Sequence, residues 1–252
     1  MPNQIKTDKI SVAFFVSPKR GDVVVDALKS LLDCNTIPKD IYCYFNPFIE
    51  SEELKNAISF CEQNQINIIV LDQYTSLSKL FNNFIDNSKG SFSLICNDDI
   101  IFEDKDCIDM ILHQHSLGHH LVKGTEAFSA FSISKRLVNT IGYFDENFTW
   151  AWEDTDYRLR MKKFGLEPFE ILPNPIKHLR CSFGRNEGYW DQSSEYFFQK
   201  WNIAKLLVGL GYLGKERELD AQEIRTLHFS GFFQDQFYEN LSNKVELRRQ
   251  EL

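Results

Sequence analysis

The chain has 252 residues, of which 43% are hydrophobic and 25% are charged, and its formal charge is −8. This is the composition of a soluble globular protein that is long enough for one large α/β domain or two small ones. An acidic chain is poorly suited to nucleic acid or anionic membranes, because both partners reward fields of Lys and Arg. A small phosphorylated ligand stays compatible with the charge if a metal ion bridges the two negative groups.

The six cysteines form no CxxC pair, and several stand in apolar runs such as "IYCYF" and "SLICND". A thiol in such a run behaves as a small hydrophobe, so we expect reduced cysteines and a cytoplasmic protein. The polar start "MPNQIKTDKI" lacks the apolar core of a signal peptide. No run reaches the ~18 apolar residues of a membrane span, so we expect no transmembrane segment.

The first hundred residues alternate between predicted strands and predicted helices. Apolar, β-rich runs predict the strands, and apolar residues recurring at helical spacing predict amphipathic helices. This alternation indicates an α/β fold with a mostly parallel central sheet flanked by helices. The predicted strands cover 10–18, 40–47, 66–72 and 92–102, and the predicted helices cover 22–34, 51–64 and 76–90.

The second half of the chain is less regular. We find no internal repeat and no clear linker, so the simplest interpretation is one domain over 1–205 followed by a C-terminal helical extension over 206–252. The aromatic patch of this extension would pack back, form an oligomer interface or touch a membrane, although its acidic neighbours disfavour the membrane. The predicted elements are a strand at 124–134, helices at 135–142, 153–165 and 193–211, and an extended segment at 168–178.

Polar residues follow each of the first four predicted strands. In open α/β sheets, ligands bind at the carboxyl edge of the strands, and four polar strand ends there are typical of a nucleotide site. The chain has no GxGxxG or GxxxxGK[ST] sequence, so neither a dinucleotide-binding loop nor a P-loop is supported. The residues concerned are Ser17, Asn46, Asp72 and the run Asn97-Asp98-Asp99.

The run "CNDDI" places two adjacent aspartates at the end of a buried strand. They repel each other, and burying either charge is costly without a partner. One interpretation is a polar turn, in which Asn and Asp are common. The other is a site for Mg²⁺ or Mn²⁺, which prefer carboxylate oxygens together with the phosphates of a ligand.

The stretch "FDENFTWAWEDTDYRLRMKKFG" at 144–165 has acids at the start of a predicted helix and basic residues later in it. The helix dipole and an i,i+4 pair between Asp156 and Arg160 explain that order without any function. They do not explain "FTWAW". Trp150 and Trp152 beside carboxylates are typical of a platform on which a sugar ring stacks while acids bind its hydroxyls. A carboxylate there is also suited to act as a base.

A β/α half ending in an aspartate-rich strand, then "IGYFDENF…WEDTDYRLRMKKFG" and "SEYFFQKW", resembles the inverting, nucleotide-sugar-dependent glycosyltransferases of family 2. The segment "FTWAWEDTDYRLR" followed by "IKHLR" is also similar to the acidic loop and metal-binding histidine of the β-1,4-galactosyltransferases. The resemblance covers about residues 10–205 and implies the Rossmann-related GT-A fold. It implies a nucleotide-binding half at about 10–102 and an acceptor half at about 103–205.

The resemblance also implies a role for each matching residue. Asp99 is similar to the final aspartate of the DxD motif and would bind the metal together with His178. Asp154 would be the general base, with Glu153 as its catalytic support. Asn46 and Asn97 stand where family members usually have aspartates, which leaves the nucleotide base open. The other implied roles are nucleotide-sugar binding by Ser17, Arg20, Asn46, Asp72, Asn97 and Asp98, and acceptor binding by Trp150, Trp152 and Asp156.

Two further features of this half carry weaker signals. Lys177, Arg180 and Arg185 near the histidine are cations that would neutralise a diphosphate. The run "HQHSLGHH" at 113–120 invites a zinc interpretation, but Gly118 interrupts the helix and no carboxylate or cysteine is in register. A solvated helix end is therefore the preferred interpretation of this run.

We therefore predict an inverting glycosyltransferase that uses Mn²⁺ or Mg²⁺ and transfers a sugar from a nucleotide diphosphate sugar, with a UDP-sugar as the first guess, to a hydroxyl acceptor. A sugar nucleotidyltransferase is one alternative, although "SPKRGD" has one glycine where that class carries a glycine-rich basic loop. An inactive, transferase-like domain that binds carbohydrate or metal is another, because Asn46 and Asn97 replace aspartates. A homo-oligomer through 206–252 is compatible with either.

Overall fold

The structure is a computed structural model that describes residues 5–18, 20–125, 128–179, 187–203, 219 and 223–224. Over these residues the chain forms strands and helices in the order expected for an α/β protein. The elements are β1 (Ile5–Val16), α1 (Gly21–Leu32), β2 (Thr36–Phe45), α2 (Glu52–Gln63), β3 (Asn67–Val70), α3 (Leu77–Asn87), β4 (Phe92–Asn97), β5 (Ile100–Phe102), α4 (Cys107–Ser116), β6 (Leu121–Lys123), β7 (Ala130–Ser134), α5 (Lys135–Ile141), α6 (Glu153–Lys163), β8 (Phe169–Glu170), β9 (Ile176–His178) and α7 (Glu187–Lys200).

The main sheet has seven strands in the order β3-β2-β1-β4-β7-β6-β8. Strands β3, β2, β1 and β4 are parallel, whereas β7 pairs antiparallel with both β4 and β6. The predicted α/β class with a mostly parallel sheet is confirmed. Because the first four strands are parallel, their carboxyl ends meet at one edge of the sheet, as the polar strand ends require.

The predicted strand over 92–102 is divided at its two aspartates. Strand β4 ends at Asn97, and β5 leaves the main sheet to pair antiparallel with β9. In that pairing Ile100 lies opposite His178, and the Leu179 amide donates to the Asp99 carbonyl over 2.8 Å. This separate pair of short strands brings the histidine next to the aspartates.

Several predicted boundaries were wrong. Helix α7 begins at Glu187, before the predicted start, and ends at Lys200, because the chain turns at Asn202 with a φ of 51°. Strand β6 was not predicted, helix α4 was predicted only at its end in the run 113–120, and the strand predicted over 124–134 is formed only from Ala130. Residues 204–211 of the predicted helix lie outside the described residues.

Helix α4 ends in the histidine run, and His115 is a core residue there. Its side chain is only 7% exposed, its Nδ1 lies 2.7 Å from the His119 carbonyl oxygen, and its Nε2 lies 2.8 Å from Ser132 Oγ. The ring stacks on Phe92 with centroids 4.0 Å apart, and burial lowers its pKa to about 4. The interpretation as a solvated helix end is therefore wrong for His115, whose ring joins α4 to the sheet.

The chain divides into two compact units. The first contains the main sheet and the small sheet, and its core packs β1, β2 and β4 against α1, α2 and α4. The second contains α6 and α7 around an aromatic core that includes Phe148, Trp152, Trp190 and Phe197. The first unit comprises Met1–Thr75, Lys79–Tyr143 and Pro168–Phe183, and the second comprises Ser76–Ser78, Phe144–Glu167 and Gly184–Leu252.

The five cysteines of the described ranges are free and buried. Among the residues that the structure describes, no helix is long and apolar enough to cross a membrane. The predicted extension over 206–252 falls almost wholly outside the described residues, so its boundary and the one-domain interpretation stay predictions.

Candidate active site

One candidate cluster lies at the carboxyl edge of the parallel strands in the first unit. We call Ser17, Arg20, Asp98, Asp99 and His178 the strand-end cluster. Ser17 follows β1, Arg20 precedes α1, the aspartates follow β4, and His178 ends β9. The fold thus joins residues up to 161 positions apart, from Ser17 to His178, and all five had been predicted as site residues.

Asp98 is enclosed by the fold. Its side chain is 2% exposed, Oδ1 accepts from Arg20 Nη1 over 2.6 Å, and Oδ2 accepts from the Ser17 amide over 2.8 Å. Burial raises the pKa of Asp98 to about 6, although Arg20 and the Ser17 amide act to lower it. Each carboxylate oxygen therefore bonds to the turn after β1, and Asp98 ties the ends of β1 and β4 together.

Asp99 is directed to different partners. Its Oδ1 lies 3.2 Å from His178 Nε2, and its Oδ2 lies 3.4 Å from Arg20 Nη1. The Asp99 side chain is 3% exposed, and the histidine is 19% exposed. A carboxylate oxygen and an imidazole nitrogen at this spacing are two donors of the kind that Mn²⁺ accepts.

Arg20 is held in place by the close approach of α1 to α2. A methyl group at Gly21 would lie 2.0 Å from the Glu53 carbonyl oxygen, so this position accepts only glycine. The Arg20 carbonyl accepts from the Val24 amide over 3.1 Å, which makes Arg20 the residue that caps α1. The Arg20 side chain is 11% exposed, and its guanidinium reaches from this cap to both aspartates.

The strand-end cluster does not include the other predicted nucleotide-binding residues, which are Asn46, Asn97 and Asp72. The Asn46 side chain donates to the Thr75 carbonyl over 2.6 Å and accepts from the Thr75 amide over 2.8 Å, so it fastens the chain after β3. Asn97 is half-buried, and its backbone amide donates to the Ser129 carbonyl. Asp72 is exposed. Their proposed contacts to a nucleotide stay predictions.

The cations near His178 were predicted to neutralise a diphosphate. Lys177 pairs with Glu103 over 3.3 Å, and Arg180 and Arg185 lie outside the described residues.

A separate candidate cluster is the entrance to α6 in the second unit. We call Trp150, Trp152, Glu153, Asp154 and Asp156 the helix-entrance cluster. The chain enters α6 through Ala151 and Trp152, which both have a left-handed backbone, with φ of 69° and 70°. Such a conformation costs a non-glycine residue about 1 to 3 kcal/mol and persists only where its surroundings enforce it.

The two tryptophans do not form a joint platform. Trp152 is 5% exposed, donates from Nε1 to Ser194 Oγ over 2.7 Å, and stacks on Phe197 with centroids 4.6 Å apart. It belongs to the aromatic core of the second unit. The predicted stacking surface is therefore reduced to Trp150, which is half-buried and whose amide donates to Ser193 Oγ over 3.0 Å.

The three acids of α6 have three different environments. Glu153 is 8% exposed, and within the described ranges its Oε2 has no hydrogen-bond partner. Burial, and then the neighbouring Asp154, raise the pKa of Glu153 to about 8. Asp154 is half-buried and accepts from the Thr155 amide over 2.6 Å. Asp154 thus keeps the partial exposure that a base needs in order to meet a substrate.

Asp156 has no exposed surface. Its oxygens accept from Arg160 Nε over 2.9 Å, Lys200 Nζ over 2.6 Å and Trp201 Nε1 over 3.0 Å. A fully buried carboxylate with these bonds does not reach an acceptor, so the predicted acceptor contact does not match its position. Its bond to Arg160 is the i,i+4 pair that the sequence indicates, and its contacts hold the helix in place.

Sequence reasoning missed the residues of α7 that hold the tryptophan loop. Ser193 Oγ accepts from the Thr149 and Trp150 amides, both over 3.0 Å, and Ser194 Oγ accepts from Trp152. Both serines are fully buried. The one available signal was a pair of serines among the aromatic residues of this helix, and a pattern of that kind does not identify the partner.

Lys200 completes this support. Its Nζ lies 2.6 Å from both Asp145 Oδ2 and Asp156 Oδ1, and so links the loop to α6. Burial acts to raise the pKa of Asp145, but bonds from Lys200, the Asn147 amide and Tyr196 lower it to about 2. These contacts give Asp145 a structural role in shaping the loop.

Comparisons with known proteins agree with this architecture. The fold is similar to that of a mannosyltransferase, PcManGT from Pyrobaculum calidifontis, in complex with GDP-Man and Mn²⁺, with a TM-score of 0.59 and 7% identity over 94% of this chain and 73% of that one. It is also similar to glucosyl-3-phosphoglycerate synthase from Mycobacterium tuberculosis in complex with Mn²⁺, UDP and phosphoglyceric acid, with a TM-score of 0.55 and 12% identity over 79% of this chain and 77% of that one. No protein-family model and no curated protein matches the sequence. The fold is therefore that of the GT-A glycosyltransferases.

Proposed function

We propose that this protein is a metal-dependent glycosyltransferase that moves a sugar from a nucleotide diphosphate sugar to a hydroxyl acceptor. The observation that carries the proposal is the Asp99–His178 pair, with Oδ1 and Nε2 3.2 Å apart at the carboxyl edge of a GT-A sheet. Ligands of open α/β sheets bind at that edge. Both similar structures hold Mn²⁺ together with a nucleotide or a nucleotide sugar, which supports the same ligand class here.

The strand-end cluster fits Mn²⁺ or Mg²⁺ bound together with a diphosphate. Asp99 would supply oxygen and His178 nitrogen, a donor set that Mn²⁺ accepts readily. Within the described ranges, no group of three or more His, Cys, Asp or Glu side chains is arranged to hold a metal ion. Two protein ligands leave the other positions to phosphate oxygens and water, as is usual for metals of nucleotide sites. The bound metal would neutralise charge on the leaving diphosphate.

Glycosyl transfer also requires a general base, which the acidic residues of α6 would supply. Asp154 would accept the proton of the acceptor hydroxyl as that oxygen bonds to the anomeric carbon of the donor. The bond from the anomeric carbon to the diphosphate breaks at the same time, so the nucleotide diphosphate leaves with the electron pair and the anomeric configuration inverts. Trp150 would stack on the acceptor ring. Buried Glu153 would carry its proton near neutral pH and hold the start of the helix.

Thermal unfolding in the presence of donors tests the ligand class. We expect one of the UDP-, GDP- or dTDP-sugars, with a UDP-sugar as the first guess, to raise the midpoint more in Mn²⁺ than in EDTA. A ligand that binds only the folded state stabilises it by about 2.7 kcal/mol at a hundred times its Kd. If no donor of the panel stabilises the protein with Mn²⁺ or Mg²⁺, the proposal is wrong.

An Asp154→Asn variant tests the assigned chemistry. It should bind donor and metal as the wild type does and lose transfer to the acceptor. A sugar nucleotidyltransferase would instead form nucleotide sugar from a sugar phosphate and a nucleoside triphosphate. An inactive domain would bind without turnover in either assay. Anomeric configuration of the product, read by NMR, decides whether the transfer is inverting.

A further inference from the structure

We propose that Arg20 is a built-in counter-cation of the two strand-end aspartates, and that it makes metal binding depend on the nucleotide. The inference rests on the proposed function for its ligands. It assigns Arg20 a role beyond contacting the nucleotide. The contact that motivates it is a single guanidinium nitrogen, Nη1, that lies 2.6 Å from Asp98 Oδ1 and 3.4 Å from Asp99 Oδ2.

The position of Arg20 is fixed by the fold rather than by a ligand. Its backbone caps α1, and Gly21 lets that helix approach the Glu53 carbonyl closely. The Arg20 side chain is only 11% exposed, and its guanidinium faces two aspartates whose side chains are 2% and 3% exposed. A charge in such a place interacts strongly with its neighbours, because little water screens it.

The second step concerns the charge that a metal ion would meet. With a neutral histidine, the two aspartates and one guanidinium carry a net charge of −1, whereas the aspartates alone would carry −2. A divalent cation near Asp99 would also be repelled by a guanidinium that lies 3.4 Å from the same carboxylate. Arg20 therefore weakens binding of the metal by itself.

The nucleotide reverses this effect. A diphosphate brings two or more negative charges, and a guanidinium pairs with phosphate oxygens through charged hydrogen bonds. With the diphosphate present, Arg20 has a second anion to bind, and its repulsion of the metal is offset. Metal and nucleotide should then strengthen each other's binding by the same factor, because such coupling is reciprocal.

The test measures Mn²⁺ binding without any turnover. Free Mn²⁺ is followed by electron paramagnetic resonance, with and without UDP and GDP, for the wild type and for Arg20→Met, which keeps the length and removes the charge. For Mn²⁺ alone we expect roughly tenfold tighter binding to the variant, from the loss of one nearby positive charge. We expect nucleotide to tighten Mn²⁺ binding at least ~5-fold in the wild type and much less in the variant.

Two further variants serve as controls for Arg20→Met. Arg20→Lys keeps the positive charge and should stay near the wild type for Mn²⁺ alone. Lys55→Met removes one positive charge from a surface pair, in which Lys55 Nζ lies 2.7 Å from Glu50 Oε1, and should change nothing. If Arg20→Met binds Mn²⁺ alone no more tightly than the wild type, the inference is wrong.

The result also separates this inference from the proposed function. A wild type that binds neither Mn²⁺ nor a nucleotide overturns the proposed function. A wild type that binds both, with a coupling factor near one, overturns the inference about Arg20 alone, even if Arg20→Met does not fold. Thermal unfolding shows whether each variant is folded, and only folded variants are compared with the wild type.

Discussion

The two clusters of acids in this protein differ in what holds each carboxylate. At the strand ends, Asp98 bonds to the Ser17 amide and Arg20, whereas its neighbour Asp99 faces His178. In each case the partner comes from a distant part of the first unit. The two adjacent aspartates therefore have different partners: Asp98 holds the turn after β1, and Asp99 is the one that we propose as a metal ligand.

At the helix entrance, the three acids differ instead in how deeply each side chain is buried. Asp156 is fully buried and bonded to three side chains, Glu153 is buried with a raised pKa, and Asp154 keeps partial exposure. In both clusters, one acid is bonded within the protein through both carboxylate oxygens, while its neighbour is the residue for which we propose a chemical role. The variants below compare such neighbours.

The largest effect is expected from Asp154→Asn compared with Asp156→Asn. A lost general base lowers turnover by about 10²- to 10⁴-fold, and the half-buried side chain makes the stability cost small. Asp156→Asn instead leaves Arg160 and Lys200 without a buried carboxylate, which should lower the free energy of unfolding by about 3 kcal/mol. Turnover of a donor–acceptor pair and chemical denaturation measure the two effects. Equal loss of stability in both variants would contradict the assignment.

A similar contrast is expected between Asp98→Asn and Asp99→Asn. The first removes the charge that binds the Ser17 amide and Arg20, and should cost about 3 kcal/mol of unfolding free energy. The second removes a carboxylate whose distances to Arg20 and His178, 3.4 and 3.2 Å, are longer, so it should cost less stability than the first. It should abolish the Mn²⁺-dependent rise of the unfolding midpoint in the presence of nucleotide. Calorimetry with Mn²⁺ and with EDTA measures both. Retention of the Mn²⁺ effect in Asp99→Asn would remove this residue from the metal site.

Ser193→Ala should loosen the loop that carries Trp150. The buried hydroxyl accepts from the Thr149 and Trp150 amides, and its loss should cost about 1 to 2 kcal/mol. The KM for the acceptor should rise while donor binding stays the same. Gln199→Ala, at an exposed position of the same helix, is the matched control and should change neither. A rise in donor Kd of equal size would mean that the effect is not confined to the loop.

Glu153→Gln should change how stability depends on pH. The pKa of Glu153 is about 8 in the folded protein against an ordinary 4.5, so the folded protein holds a proton that the unfolded chain has lost between these values. Wild-type stability from this group is complete below about pH 4.5 and falls as pH rises towards 8, by at most about 1.4 kcal/mol per pH unit. Relative to the wild type, the variant should therefore gain stability from pH 5 to 8. A parallel pH profile, measured by denaturation, would show that Glu153 is ionised.

Much of the first unit could be predicted from the sequence. Periodic apolar runs gave the alternation of strands and helices, because such runs fold locally into elements that bury one face. Parallel strands then had to place Ser17, Asn46, Asp72 and the NDD run at one edge. Long-range pairing was less predictable, since nothing in the local sequence showed that β5 would leave the main sheet to pair with β9.

The sequence by itself determined the α/β class, the acids at one strand end and one helix entrance, and a histidine suited to a metal. Tertiary structure alone decided which of these side chains are exposed and which are already bonded. In the folded chain, Trp152 lies in the core, His115 and Asp156 are buried, and Arg20 contacts two aspartates. The physical reason is that burial and ion pairing depend on residues far apart in the chain, whereas a sequence pattern records only near neighbours.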